Sequence, residues 1–191
     1  VHPYGLYLFK RFLTALLEME FALVNPCSYL TKAEMCLHNG MTNSRQTIGA
    51  TFSCDGFPVR QAKTPQCGLC TSCILRRLAL QQAGLTDYDT EGYLIDPFLF
   101  EPSINRVRLK GLFSMDWQVG RIARALQAES NWDALITEFP ELRDACLGLM
   151  NMNSASESET QFQLIRLLSK HCAEWNSFPV QQWLQEQSKA A

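Results

Sequence analysis

A chain of 191 residues, 47% of them hydrophobic, is long enough to bury a core as one compact domain, or as one domain with a small appendage. Its formal net charge of -2 and pI near 5.9 exclude a broad electrostatic attraction to nucleic acid or an anionic membrane, and no apolar run approaches a membrane span. Eight cysteines, with no leader of basic residues followed by a short apolar run, argue against an extracellular disulfide framework and for a reducing, cytoplasmic setting.

The chain opens at Val1, and its first residues already read as the interior of a fold, so a further N-terminal portion is expected. From Pro3 to about Glu20 the residues Leu6, Phe9, Phe12, Leu13, Leu16 and Leu17 recur at helical spacing, with Pro3 suited to the first turn. Phe21 to Val24 is a short apolar run closed by Asn25-Pro26, which predicts a brief buried strand and a turn. Thr31-Lys-Ala-Glu34 has the form of a capping box opening a helix to about Asn39-Gly40, and a second short helix is expected over Ser44–Gly49. Residues 50–70, with Gly56, Pro58, Pro65 and Gly68, read as irregular backbone.

Thr71 to Ala83 predicts a helix with Ile74, Leu75, Leu78 and Leu80 on its apolar face and Gly84 as the terminating glycine. A connector from about Asp87 to Ser103 leads to helices near Asp116–Ala128, Asn131–Glu138, Pro140–Met150, Glu157–Trp175 and Val180–Gln187, with Asn151–Ser156 as a polar linker. The aromatics Trp117, Trp132, Trp175, Phe178 and Trp183 of this tail fit either its own core or a partner surface.

Cys54, followed by Cys67, Cys70 and Cys73 in the run Cys67-Gly-Leu-Cys-Thr-Ser-Cys73, has the spacing of a closed zinc site. Two residues between successive cysteines let one tight turn aim two thiolates at one ion, and Gly68 supplies backbone freedom for it. Four sulfurs leave no open position for water, so such a metal is structural. A thioredoxin-type dithiol would use a single pair after a strand, which three cysteines at successive i+3 steps fit poorly. Cys27, Cys36, Cys146 and Cys172 lie in apolar or helical surroundings and read as packing residues.

Asn25-Pro26, Leu30–Met35, Thr51–Cys54, Cys67–Arg77 and Gln82–Gly84, taken together in order and spacing, resemble the C-terminal half of the 7-cyano-7-deazaguanine synthase (QueC) family. The opening His2-Pro3-Tyr4 helix and the long helical tail are similar to the QueC-like, QatC-type components of a four-gene bacterial antiphage system. The resemblance implies a mainly α chain that is the C-terminal fragment of an α/β adenine-nucleotide alpha-hydrolase-like (N-type ATP pyrophosphatase) fold. It divides the chain into a QueC-like part, residues 1–93 with the zinc loop at 54–73, and a helical extension, residues 94–191. It also implies zinc on Cys54, Cys67, Cys70 and Cys73, with ATP as cofactor of the complete protein.

Members of that family adenylylate the carboxylate of 7-carboxy-7-deazaguanine and convert it with ammonia to a nitrile. Their Ser-Gly-Gly-x-Asp-Ser phosphate loop has no counterpart in these 191 residues, so the chain alone is expected to be inactive, and no catalytic residue is assigned. Lys32 matches a lysine that sits near ATP phosphates in related pyrophosphatases, and Arg76 and Arg77 stand where bidentate contacts to phosphate or carboxylate are possible. The plainer readings are a solvated first-turn lysine and arginines that neutralise a thiolate-rich site. Expected partners are other proteins of a defence operon, through the helical tail, and a deazapurine if the biosynthetic activity is kept. The competing reading is a non-catalytic, zinc-stabilised protein-binding module. A nucleic-acid-binding zinc ribbon is disfavoured, because no more than two basic residues adjoin anywhere in the chain, as at Arg76-Arg77.

Overall fold

The computed structural model describes residues 2–38, 45–56, 66–90, 92–95 and 109–178. Its described residues form α1 (Pro3–Leu17), α2 (Lys32–Leu37), α3 (Thr71–Gln82), α4 (Lys110–Leu126), α5 (Asn131–Glu138), α6 (Glu141–Asn153) and α7 (Glu157–Asn176), with single 3-10 turns at Arg45–Thr47 and Thr86–Tyr88. Among them there is no strand, only an isolated parallel bridge between Gln66 and Tyr93. No helix among them is long and apolar enough to cross a membrane.

The chain divides into two compact units that interleave along the sequence: residues 1–30 with 120–172, and residues 31–119 with 173–191. This spatial division differs from the one expected at residues 93 and 94, and its boundaries fall inside α4 and α7.

In the first unit, α1 is started by His2, whose Nδ1 accepts from the Tyr4 N–H, and by Pro3 at its first position. It ends three residues short of the expected Glu20 because Glu18 adopts φ 51°, a left-handed stop. The helix lies against α6 at Gly148, where an added Cβ would fall 2.6 Å from the Tyr4 backbone nitrogen. Cys146, Leu149 and Leu164 form a buried cluster there, edged by Tyr29, Trp132 and Met150. Arg166 Nη2 donates to the Tyr29 carbonyl at 2.6 Å, tying α7 to the turn after α1. That turn is set by Asn25, whose side chain accepts from the Cys27 N–H.

Residues 21–24 are not a strand. No strand among the described residues pairs with them, the Phe21 N–H donates instead to Thr14 Oγ1 at 3.3 Å, and Val24 is 77% exposed, so the local apolar run had no sheet to join.

In the second unit, the Thr31 capping box is formed as read: Thr31 Oγ1 accepts from the Glu34 N–H, and the Glu34 carboxylate accepts from the Thr31 N–H. The helix stops at Leu37, and the segment expected to be helical over Ser44–Gly49 is one 3-10 turn where described. α3 closes with Gly84 at φ 65°, the Leu85 N–H bonded to the Leu80 carbonyl at 2.8 Å, and Leu80 and Leu85 buried together with Ile48. α4 begins six residues before the expected Asp116, and Leu109, Leu112, Met115 and Val119 are buried along it. Trp175, fully buried, donates from Nε1 to Asp116 at 3.0 Å and packs against Phe178. The expected helix over Val180–Gln187, with Trp183, lies outside the described residues, as does most of the connector before α4.

Candidate metal centre

The sulfurs of Cys54, Cys67, Cys70 and Cys73 all lie within 4.8 Å of one another, and all eight cysteines of the chain are free thiols. An ion held at about 2.3 Å by four sulfurs sets them about 3.8 Å apart; Cys67 Sγ and Cys73 Sγ stand 3.9 Å apart. The donor set therefore fits a tetrahedral ion of zinc type. Cys54 and Cys73 are buried and the other two half-buried, which leaves the cluster little contact with water.

Local backbone builds this arrangement. Gly68 takes φ 80°, and a Cβ there would overlap the Ile95 carbonyl, so the turn between Cys67 and Cys70 is open to glycine alone. Cys70 then serves as the N-cap of α3, which sets Cys73 in the first turn with its sulfur directed back toward the knuckle. On the far side, the Leu69 carbonyl rests against Gly111 of α4, where a Cβ would approach to 2.7 Å.

Each sulfur is met by backbone N–H groups. The N–H of Cys70 points at Cys67 Sγ at 3.3 Å; those of Cys67 and Gly56 serve Cys54, those of Asp55 and Cys73 serve Cys70, and that of Gly68 serves Cys73. Burial pushes the Cys54 thiol up, yet these donors and the neighbouring thiols bring it down to about 7. For Cys73 and Cys70 burial prevails and the thiols are raised; at Cys73 the sulfurs of Cys70 and Cys67 add to the effect, whereas at Cys70 the Cys73 thiol opposes it and Cys67 adds to it. A pocket that crowds four thiols while aiming N–H donors at them is matched to thiolates neutralised by a cation. Outside the cluster, burial leads the rise of Cys36, Cys146 and Cys172, with Glu157 adding to it at Cys146.

The cationic side chains read from the sequence as cofactor contacts, Lys32, Arg76 and Arg77, have separate surroundings. Arg76 is 7% exposed: its Nε and Nη2 donate to Asp89 at 3.1 and 2.8 Å, Nη1 to Thr51 Oγ1, and Nη2 also to the Ile48 carbonyl. These contacts occupy the guanidinium within the fold. Arg77 lies half-buried with its guanidinium 4.8 Å above the Tyr93 ring. The Tyr93 hydroxyl donates to Asp89, and burial followed by that carboxylate raises its pKa. Lys32 is exposed at the first position of α2.

Asp55 and Gln66 were not singled out from the sequence, although each adjoins a ligand. Asp55 accepts from the hydroxyls of Ser72 and Thr71, and Gln66 Oε1 accepts from the Ser53 N–H at 3.1 Å. Their adjacency to Cys54 and Cys67 was the available signal. Comparison with family models, curated proteins and solved structures yields no match to this chain.

Proposed function

We propose that Cys54, Cys67, Cys70 and Cys73 hold one structural zinc ion that fastens the 54–73 segment to α3 and α4. The observation that carries this reading is the convergence of four free thiols, each met by backbone N–H donors, within 4.8 Å. The ion has no open position and serves folding rather than reaction. Metal content by elemental mass spectrometry, on protein purified without added metal, is expected to be about one zinc per chain. Cys70→Ala is expected to abolish it and to raise hydrogen exchange over residues 66–75; a variant retaining full metal content overturns the assignment.

On the motif blocks between Asn25 and Gly84, we further propose that the chain is the zinc-bearing C-terminal portion of a QueC-like ATP-dependent enzyme, of the kind found as a QatC-type antiphage component. ATP would be bound chiefly by a phosphate loop outside these 191 residues. Its test is the longer reading frame: a Ser-Gly-Gly-x-Asp-Ser loop, and ATP-dependent pyrophosphate release with 7-carboxy-7-deazaguanine and ammonia, support the enzyme. A frame without that loop favours the alternative, a zinc-stabilised binding module. One observation already leans that way: the guanidinium of Arg76, one of the three carried-over cofactor contacts, is engaged by Asp89, Thr51 and Ile48.

A further inference from the structure

Cys54 comes from a loop of its own, and no i+3 spacing fixes its distance from the other three ligands. Two side chains bracket it. Gln66, fully buried, directs Oε1 to the Ser53 N–H at 3.1 Å, and its own carbonyl accepts from the Leu94 N–H at 2.8 Å, so it is anchored at both ends. Asp55, on the other flank, accepts from Ser72, and at 3.5 Å from Thr71, at the start of α3. Gln66 Nε2 is buried with no hydrogen-bond partner among the described residues, which carries a desolvation cost. An apolar side chain would fill this place without that cost, so packing does not account for an amide here. The bond from Oε1 does.

We infer that Gln66, assisted by Asp55, is a positioning residue that holds the Cys54 loop at ligating distance before metal arrives. The inference rests on the zinc reading above. Residues that orient ligands in this way typically contribute about 10- to 100-fold in metal affinity.

The test compares the full chain with Gln66→Met, which keeps the volume and removes the acceptor. Zinc affinity is read by chelator competition, and the number of bound thiolates by the sulfur-to-cobalt absorption of the Co(II)-loaded protein. Gln66→Met is expected to bind zinc about 10-fold or more weakly, with cobalt absorption falling toward that of three thiolates, while the metal-free variant melts no lower than wild type. Equal affinity, or a lowered metal-free melting temperature with unchanged affinity, assigns Gln66 a purely structural role and overturns the inference. If Gln66→Met does not fold, hydrogen exchange of the metal-free wild type decides: protection of the Ser53 amide supports the inference and its absence overturns it. A wild type that takes up no metal overturns the zinc reading and this inference together. Four-thiolate cobalt absorption in wild type with an unaffected variant overturns this inference alone.

Discussion

Arg76 stands three residues past Cys73 and yet takes no part in the thiol cluster. Its side chain is enclosed with that of Asp89, both 7% exposed, and it also bonds Thr51 and Ile48, so one cation joins α3 to two loops. Removing one partner of such a pair leaves an uncompensated buried charge. Arg76→Met is therefore expected to cost about 3–5 kcal/mol, measured by denaturant unfolding. Arg76→Met combined with Asp89→Leu should recover much of the loss. At this scale the four cysteines were legible in the sequence because three of them are spaced by a single turn of chain. The surroundings of Arg76 were not, since Thr51 and Asp89 lie 25 and 13 residues away and no local pattern links them.

The helices reveal where periodicity stops being informative. Of the apolar stripe read from the sequence in α1, Phe9, Phe12, Leu16 and Leu17 are 49–62% exposed, and no α1 residue is buried. Spacing gives the stripe; which side meets a neighbour is decided by α6, where Gly148 admits the α1 backbone. Gly148→Ala brings a methyl against the Pro3 and Tyr4 backbone and is expected to destabilise by about 1–3 kcal/mol, read as a lowered melting temperature with zinc content unchanged. The same reasoning explains the early start of α4. Gly111 is a weak helix former and the sequence reading placed its turn in no element, but the Leu69 carbonyl leaves room for nothing larger. α5 was legible to the residue, because Ser130 and Pro140 bracket an uninterrupted pattern.

For the whole molecule, the proposed zinc site makes metal binding and folding one equilibrium in the unit that carries the cysteines. Chelation is expected to lower its melting temperature, and a fixed excess of zinc to restore it. The other unit has its own acid sensitivity. Burial holds His171 below its ordinary pKa, so the folded state keeps it neutral. A depressed histidine contributes stability that is present above its ordinary value of 6.5 and is lost as pH falls through the folded value. Thermal melts at pH 7.5 and 5.5 should therefore show a smaller acid loss for His171→Gln than for wild type; zinc release at low pH is common to both and cancels in the comparison.

Thr31 donates to the Glu174 carboxylate across a sequence separation of 143 residues, and Gln82 reaches Ser177 across 95. The cysteine knuckle closes within 20 residues, from Cys54 to Cys73. Short loops close at smaller entropic cost than long ones, so the knuckle and α3 are expected to form before Glu174, Trp175 and Phe178 arrive. During synthesis the cysteine-bearing segment leaves the ribosome long before the residues that complete its own core, and until they emerge, the proposed metal cross-link would keep that segment in register.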